Sequence, residues 1–171
     1  ALDTVYSAIL AEELGRSTFG GFAVTVTVHT DMASPHLANF GTPEQLQRWL
    51  PAVIRGEKVC AVAVTEPDAG SDVAGIRTRA VRERSSEGDH WVIDGSKMFI
   101  TNGVHGDLYF VAARSDPEAK GSRAITMFIV EKGTPGFECT ARYHTMGGEN
   151  LHETGPAQWA GKFQGIAVKS A

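Results

Sequence analysis

Cysteine is scarce in this chain and long apolar runs are absent. Only Cys60 and Cys139 occur among 171 residues. Two distant cysteines make no disulfide framework, so both read as free thiols of a reducing compartment. No run of about eighteen apolar residues exists, which excludes a membrane-spanning helix from the expectations. Lysine and arginine never cluster, and 20 acidic against 16 basic residues give a net charge of −4. That balance argues against a nucleic-acid partner. Arg77, Arg79, Arg82 and Arg84 alternate along an expected strand and read as its solvated face. A basic-then-apolar leader is also missing, but the chain opens mid-pattern at Ala1-Leu2-Asp3 with no Met, so that absence says little about what preceded it, and cytoplasmic location is the default expectation. The six histidines never fall at ligand spacing on one helix, so no metal site is expected. No glycine-rich dinucleotide fingerprint, Walker loop or G-x-S-x-G elbow occurs.

What remains is an ordinary globular composition, 42% hydrophobic and 21% charged. Its length suits one domain, or one domain with a piece of another. Up to about Gly56 the pattern is helical. Tyr6, Ile9, Leu10 and Leu14 recur at three- and four-residue spacing, and Gly15 is a plausible stop. Residues 22–28 alternate β-branched side chains, yet their place between two helical segments favours a helix. Thr42-Pro43 with Gln45 forms a capping box ahead of the stripe Leu46, Trp49 and Leu50, with Pro51 as the expected end.

From Val59 onward short apolar runs alternate with turn signals. Strands are expected at 59–64, 77–84, 90–93, 96–100, 108–114, 125–131 and 137–144. Asp94-Gly95 is the strongest hairpin signal. So many strands in about a hundred residues imply closure to remove exposed edges. The expected fold is therefore α+β, a short N-terminal helical segment followed by an antiparallel β-barrel. Its expected divisions are 1–57, 58–147 and a tail at 148–171, which loses the pattern apart from a weak strand at 163–168.

Two stretches can hold a ligand. At 62–72 the strand pattern of Val62 and Val64 breaks into Thr65-Glu66-Pro67-Asp68-Ala69-Gly70-Ser71-Asp72. The hydroxyls of Thr65 and Ser71 are donors there, and Gly70 permits close approach to the backbone. At 97–103, Lys97-Met98-Phe99-Ile100-Thr101-Asn102-Gly103 offers an aromatic side chain to a flat ring and polar groups at its rim. Each stretch alone reads equally well as a strand running into a turn.

Together, at this spacing, the two stretches resemble the middle domain of the flavin-dependent acyl-CoA dehydrogenases. The resemblance extends to 41–51, to 73–78 and to Gly136-Phe137, and covers about residues 1–147. It implies an FAD-dependent oxidoreductase of fatty acid metabolism that dehydrogenates acyl-CoA thioesters between Cα and Cβ, passing hydride to flavin N5. It assigns cofactor contacts to Val62, Val64, Thr65, Gly70, Ser71, Phe99, Ile100 and Thr101. Thr65 would bond the pyrimidine side of the ring, Thr101 would place its hydroxyl near N5, Phe99 would stack, and Ser71 would also touch the acyl-CoA. An electron-transfer flavoprotein as acceptor and a homo-oligomer, dimer or tetramer, are implied as partners. The family's catalytic glutamate belongs to a C-terminal helical domain, so no catalytic residue is assigned in this chain. Glu66 reads as a structural ion pair. The sequence after Gly147 departs from the family pattern, and the chain reads as a truncated, inactive piece. A non-catalytic flavin-binding remnant and an acyl-CoA oxidase-type relative are the alternatives.

Overall fold

A computed structural model describes residues 4–86, 88–143 and 158–169. The first third is helical: α1 (Thr4–Gly15), α2 (Gly20–Thr27), a π-helical turn (Val28–Ala33), α3 (Ser34–Phe40) and α4 (Pro43–Ile54). The β-branched run at 22–28 is thus mostly helical, its context overriding propensity. At α4 the Thr42 hydroxyl accepts the Gln45 N–H while the Gln45 side chain accepts the Thr42 N–H, the capping box read from the sequence. The helix continues through Pro51 to Ile54, one turn beyond the expected end.

Seven strands follow: β1 (Cys60–Ala63), β2 (Arg79–Ser85), β3 (Gly88–Ile100), β4 (Leu108–Arg114), β5 (Ile125–Glu131), β6 (Phe137–Tyr143) and β7 (Gln158–Lys169). They form one sheet in the order β1-β4-β2-β3-β7-β6, with β5 on the other side of β4. This corrects the expected antiparallel barrel. The sheet is mixed, because β1 runs parallel to β4 from Cys60↔Leu108 to Ala63↔Val111, and β2 meets β4 in parallel at Arg79↔Arg114. It is also open, since no hydrogen-bonded pairing of β5 with β6 closes it among the described residues. Edge removal by closure was the wrong inference, because β1 and β2 both lie against β4 and the sheet curls without closing. Phe137 on β6 packs edge-on against Tyr109 on β4, ring centroids 4.5 Å apart.

The strand β4 explains the mixed pairing. Its run Leu108-Tyr109-Phe110-Val111-Ala112-Ala113 is buried throughout, as expected of a strand covered on both faces rather than one. Tyr109, Val111 and Ala113 join Ala61, Ala63, Ile93, Phe128 and Val130 inside the curl. Leu108 and Phe110 face the helices with Leu37, Trp49, Val53 and Cys60. That second cluster fixes α3 and α4 against β1.

The expected hairpin at Asp94-Gly95 is not there. Both residues lie within β3, Asp94 opposite Arg79 on β2 and Gly95 opposite Phe163 on β7. Gly95 answers a different need: a Cβ added to it would stand 2.3 Å from Thr78 Oγ1. Two strands expected at 90–93 and 96–100 are therefore one, and its hairpin partner is β2, joined through Ser85↔Gly88. The weak strand expected at 163–168 belongs to the longer β7, which pairs with both β3 and β6. The strand expected to end at residue 144 is described only to Tyr143, and the tail reading for 148–157 lies outside the described residues.

Candidate functional site

After Ala63 the chain leaves β1 and closes a tight turn. The Ala69 N–H donates to Glu66 O at 3.2 Å and the Glu66 N–H to Ala69 O at 2.8 Å, with Pro67 pre-set for the first corner. Inside the turn the Glu66 side chain is 6% exposed and accepts from the Arg77 N–H at 2.6 Å, the Thr78 N–H at 2.9 Å and Lys97 Nζ at 2.7 Å. Burial alone would raise this carboxyl, but the bonds from Lys97, Thr78 and Arg77 outweigh it and hold the group below its ordinary range. The Lys97 side chain is fully buried, and its ammonium also donates to Val64 O at 3.0 Å. Glu66 is the structural ion pair expected of it, with its acceptor positions taken up by the fold.

The end of β3 is shaped differently. Between Lys97↔Gly161 and Ile100↔Trp159 the register against β7 shifts, leaving an extra residue on β3. In that bulge Phe99 sits at φ 56°, a left-handed conformation that costs a bulky residue roughly 1–3 kcal/mol. The bulge leaves the Phe99 side chain 49% exposed, against 2% for Ile100. The Met98 N–H donates to Thr65 O at 2.9 Å, tying this bend to the end of β1. Three residues on, Asn102 is also left-handed, at φ 63°, a conformation asparagine tolerates well. Its buried Nδ2 donates to Thr25 O and to Cys60 O, each at 3.1 Å.

The helices supply the third wall. The π-helical turn carries His29, whose Nδ1 accepts the Cys60 N–H at 3.0 Å while Nε2 lies 3.3 Å from Val53 O. Those partners assign the proton to Nε2. In α3, His36 Nδ1 donates to Met32 O at 2.9 Å, and its ring stacks on Phe110 with centroids 5.8 Å apart.

These three walls enclose a cavity of about 440 Å³. Val62, Val64 and Thr65 come from β1 and the residues after it, Phe99, Ile100 and Thr101 from the end of β3, and Val28, Met32 and His36 from the helices. Six of the eight residues singled out in the sequence thus meet on one cavity. Gly70 and Ser71 lie on the exposed turn instead and are not among its lining. A Cβ at Gly70 would meet nothing within 4 Å. Among the described residues the lining is mostly apolar, with two threonines and His36, and includes no carboxylate. No cluster of three or more metal-ligating side chains occurs among the described residues.

Sequence reasoning missed the helical wall, the role of His29 and the buried pairing of Lys97. His29, and Val28 and Met32 of the same π-helical turn, carry no motif. Lys97 did give a signal: it is a lone charge in an apolar strand, three residues before a buried isoleucine, and such a charge needs a buried partner.

Against known proteins, the family descriptions "Acyl-CoA dehydrogenase, N-terminal domain" and "Acyl-CoA dehydrogenase, middle domain" match residues 1–57 and 61–158. The mitochondrial long-chain specific acyl-CoA dehydrogenase of Mus musculus is 39% identical over 146 residues, which is 85% of this chain and 33% of that protein. The crystal structure of acyl-CoA dehydrogenase from Geobacillus kaustophilus superposes with a TM-score of 0.85 at 38% identity, covering 98% of this chain and 41% of that one. An acyl-CoA dehydrogenase from Bacillus anthracis, solved in complex with FAD, superposes with a TM-score of 0.83 at 34% identity, covering 98% of this chain and 26% of that one. The chain spans about a third of the length of the curated relatives it matches. The cytoplasmic expectation does not stand. The relatives from Mus musculus, Rattus norvegicus and Sus scrofa are mitochondrial by name. That default rested on the absence of a leader in a chain that opens mid-pattern, which carries no information on compartment.

Proposed function

The chain belongs to the acyl-CoA dehydrogenase family of flavoenzymes, and on that premise we propose that it holds FAD for the α,β-dehydrogenation of an acyl-CoA thioester. The supporting observation is the cavity itself. Val62, Val64, Val28 and Met32 give it apolar flanks suited to a flat ring, Thr65 and Thr101 bring hydroxyls, and Phe99 is turned outward by a strained bulge. This donor set fits a flavin. When bound, FAD supplies the acceptor for the hydride leaving the acyl chain. The protein's part is to bind, orient and shield. Thr65 and Thr101 donate to polar atoms at the ring's rim, Phe99 packs against a face, and Val62 and Val64 exclude water. Ile100, buried behind Phe99, keeps the bulge from relaxing inward. Ser71 and Gly70, outside the cavity on the exposed turn, are placed to meet the more polar extensions of cofactor and acyl-CoA.

The chain divides into a helical part at 1–57 and a strand-built part at 58–147, with the tail from 148 adding a strand to the sheet. Helices finish at Ile54 and the first strand starts at Cys60, which supports that division. In the whole protein the acceptor is an electron-transfer flavoprotein and the assembly is a homo-oligomer.

Alone, these 171 residues turn over no substrate. Removing the α proton needs a base, a contribution worth about 10²–10⁴ in rate. Among the described residues no carboxylate lines the cavity, and Glu66 is committed to Lys97 and two backbone N–H groups. The test is to load the purified chain with FAD and add an acyl-CoA without oxygen. Bound flavin that stays yellow is the expected result. Bleaching would overturn the inactivity, and failure of the folded chain to retain any flavin would overturn the cofactor assignment.

A further inference from the structure

We propose that His36 is a ligand-contacting residue of the cavity, whose imidazole favours an anionic ligand over a neutral one when it carries a second proton. What aims it there is the π-helical turn. The Ser34 N–H donates to His29 O, five residues back, which marks a turn holding one residue more than an α-turn. Pro35 follows, and without an N–H it cannot bond Asp31 O, so the extra residue falls where the α-helical ladder is already broken. In an unbroken α-helix a residue eight positions on stands about 80° around the axis. The fuller turn takes up that drift. Val28, Met32 and His36, each four residues apart, therefore run down the cavity wall, while Ala33 and Leu37 are buried against the strands.

His36 differs from the rest of that wall in being ionisable. The other described residues that line the cavity are apolar or threonine. Its ring is fixed at two points: it stacks on Phe110 with planes 29° apart, and Nδ1 bonds Met32 O at 2.9 Å. A carbonyl oxygen only accepts, so Nδ1 carries the proton of the neutral ring. The lone pair is then on Nε2, which bonds nothing among the described residues. Uptake of a proton turns that one atom from an acceptor into a charged donor.

The charged and titratable groups on the neighbouring elements are committed elsewhere. In the π-helical turn, Asp31 accepts from the Ser7 and Thr30 hydroxyls, and His29 is held by Cys60 and Val53. On α4, Arg48 pairs with Glu131 of β5, and Glu44 lies in the exposed first turn. On β1, burial pushes the Cys60 thiol up to about 12, so it stays neutral. On β4, burial raises the Tyr109 phenol, which belongs to the cluster inside the curl, and Arg114 donates to Ala74 O. Among the described residues none of these pairs with His36, which leaves the contents of the cavity to answer its charge. Half-burial strengthens that attraction over its value in water.

The choice of ligand rests on the flavin reading above; the aim of the ring does not. For FAD the anionic form is the two-electron-reduced ring, which carries a negative charge near neutral pH, whereas the oxidised ring is neutral. His36 tips the cavity towards the reduced form in mild acid and loses that bias in alkali, where the imidazole is neutral.

Two measurements test this. In the ligand-free wild-type chain at about pH 8.5, nitrogen-15 spectra assigned residue by residue report which ring nitrogen holds the proton. The expected result is Nδ1–H with a bare Nε2. An Nε2–H ring would overturn the proposal, whatever the ligand. Equilibrium dialysis under nitrogen then gives the affinities of oxidised and dithionite-reduced FAD for wild type and for His36→Gln, an uncharged variant that keeps a donor for Met32 O. At about pH 6 the wild type should prefer reduced over oxidised FAD about tenfold more than the variant does. At about pH 8.5 the two preferences should agree within about twofold. Comparing the two chains at each pH removes the flavin's own titration. Equal preferences at both pH values, or a difference that does not change with pH, would overturn the role of the charge. A bare Nε2 in a chain that binds neither form would overturn the flavin reading, and His36 as a contact of that ligand with it, while the aim of the ring would stand.

Discussion

The two strand ends that face each other across the cavity hold their shapes by different physics. Beyond β1 the turn at Glu66 is fixed by charge: a buried carboxylate, a buried ammonium and two backbone N–H groups leave little unsatisfied. Beyond β3 the bend is fixed against its own backbone preference, with Phe99 and Asn102 both left-handed and Phe99 half exposed. One wall is rigid because every alternative would strand a charge. The other is strained, and it keeps its strain because Asn102 anchors it to α2 and to β1. A cavity that must present an aromatic ring beside a fixed polar edge needs both kinds of wall.

The largest effect should come from the charged wall. Lys97→Met leaves the Glu66 carboxylate buried without its counter-charge and should cost about 3–5 kcal/mol, read as a fall in the urea midpoint. Adding Glu66→Gln to Lys97→Met, which removes the stranded charge and keeps an acceptor for the Arg77 and Thr78 N–H groups, should recover most of that loss. A double variant no more stable than Lys97→Met would show that the two walls do not differ in the way described.

Acid should weaken the same wall next. The folded carboxyl of Glu66 lies below its ordinary value of 4.5, so its stabilisation is fully present above about that pH. It is lost as pH falls through the lowered value. Glu66→Gln should flatten the acid limb of a stability–pH curve, and an unchanged limb would remove Glu66 as its source.

The strained wall should respond in the opposite sense and more weakly. Phe99→Gly releases a left-handed conformation worth roughly 1–3 kcal/mol while adding glycine's entropy cost of about 0.5–1 kcal/mol. The folded chain should be at least as stable as wild type within about 1 kcal/mol, yet bind FAD about tenfold more weakly for want of the ring. Loss of stability above about 2 kcal/mol would mean that Phe99 packs into the fold rather than serving the cavity.

Several elements were legible before any coordinates. The capping box at Thr42 and Gln45 is a local signal, complete within four residues, and it appears as read. Glu66 beside Pro67 in a turn announced an ion pair, and Lys97 is its partner. What failed was information held between segments. Gly95 has the neighbours of a hairpin turn, but its role is to let Thr78 approach, which only the pairing of β2 with β3 defines. The parallel contact of β1 with β4 was visible only as an unbroken apolar run in β4, and alternation elsewhere suggested an antiparallel barrel. Within the site, residues 62–65 and 99–101 were found because each stretch is contiguous. His29 was not, because its work is done on Cys60, thirty-one residues away.

The claim on which the rest depends is that these two dissimilar walls form one flavin pocket. Titrating the folded chain with FAD, and following quenching of the flavin fluorescence, tests it most directly. The expected result is saturable binding of one FAD per chain, weakened alike by Thr65→Val on the charged side and Thr101→Val on the strained side. Binding indifferent to both substitutions, or no binding by a chain whose melting shows it folded, would contradict it.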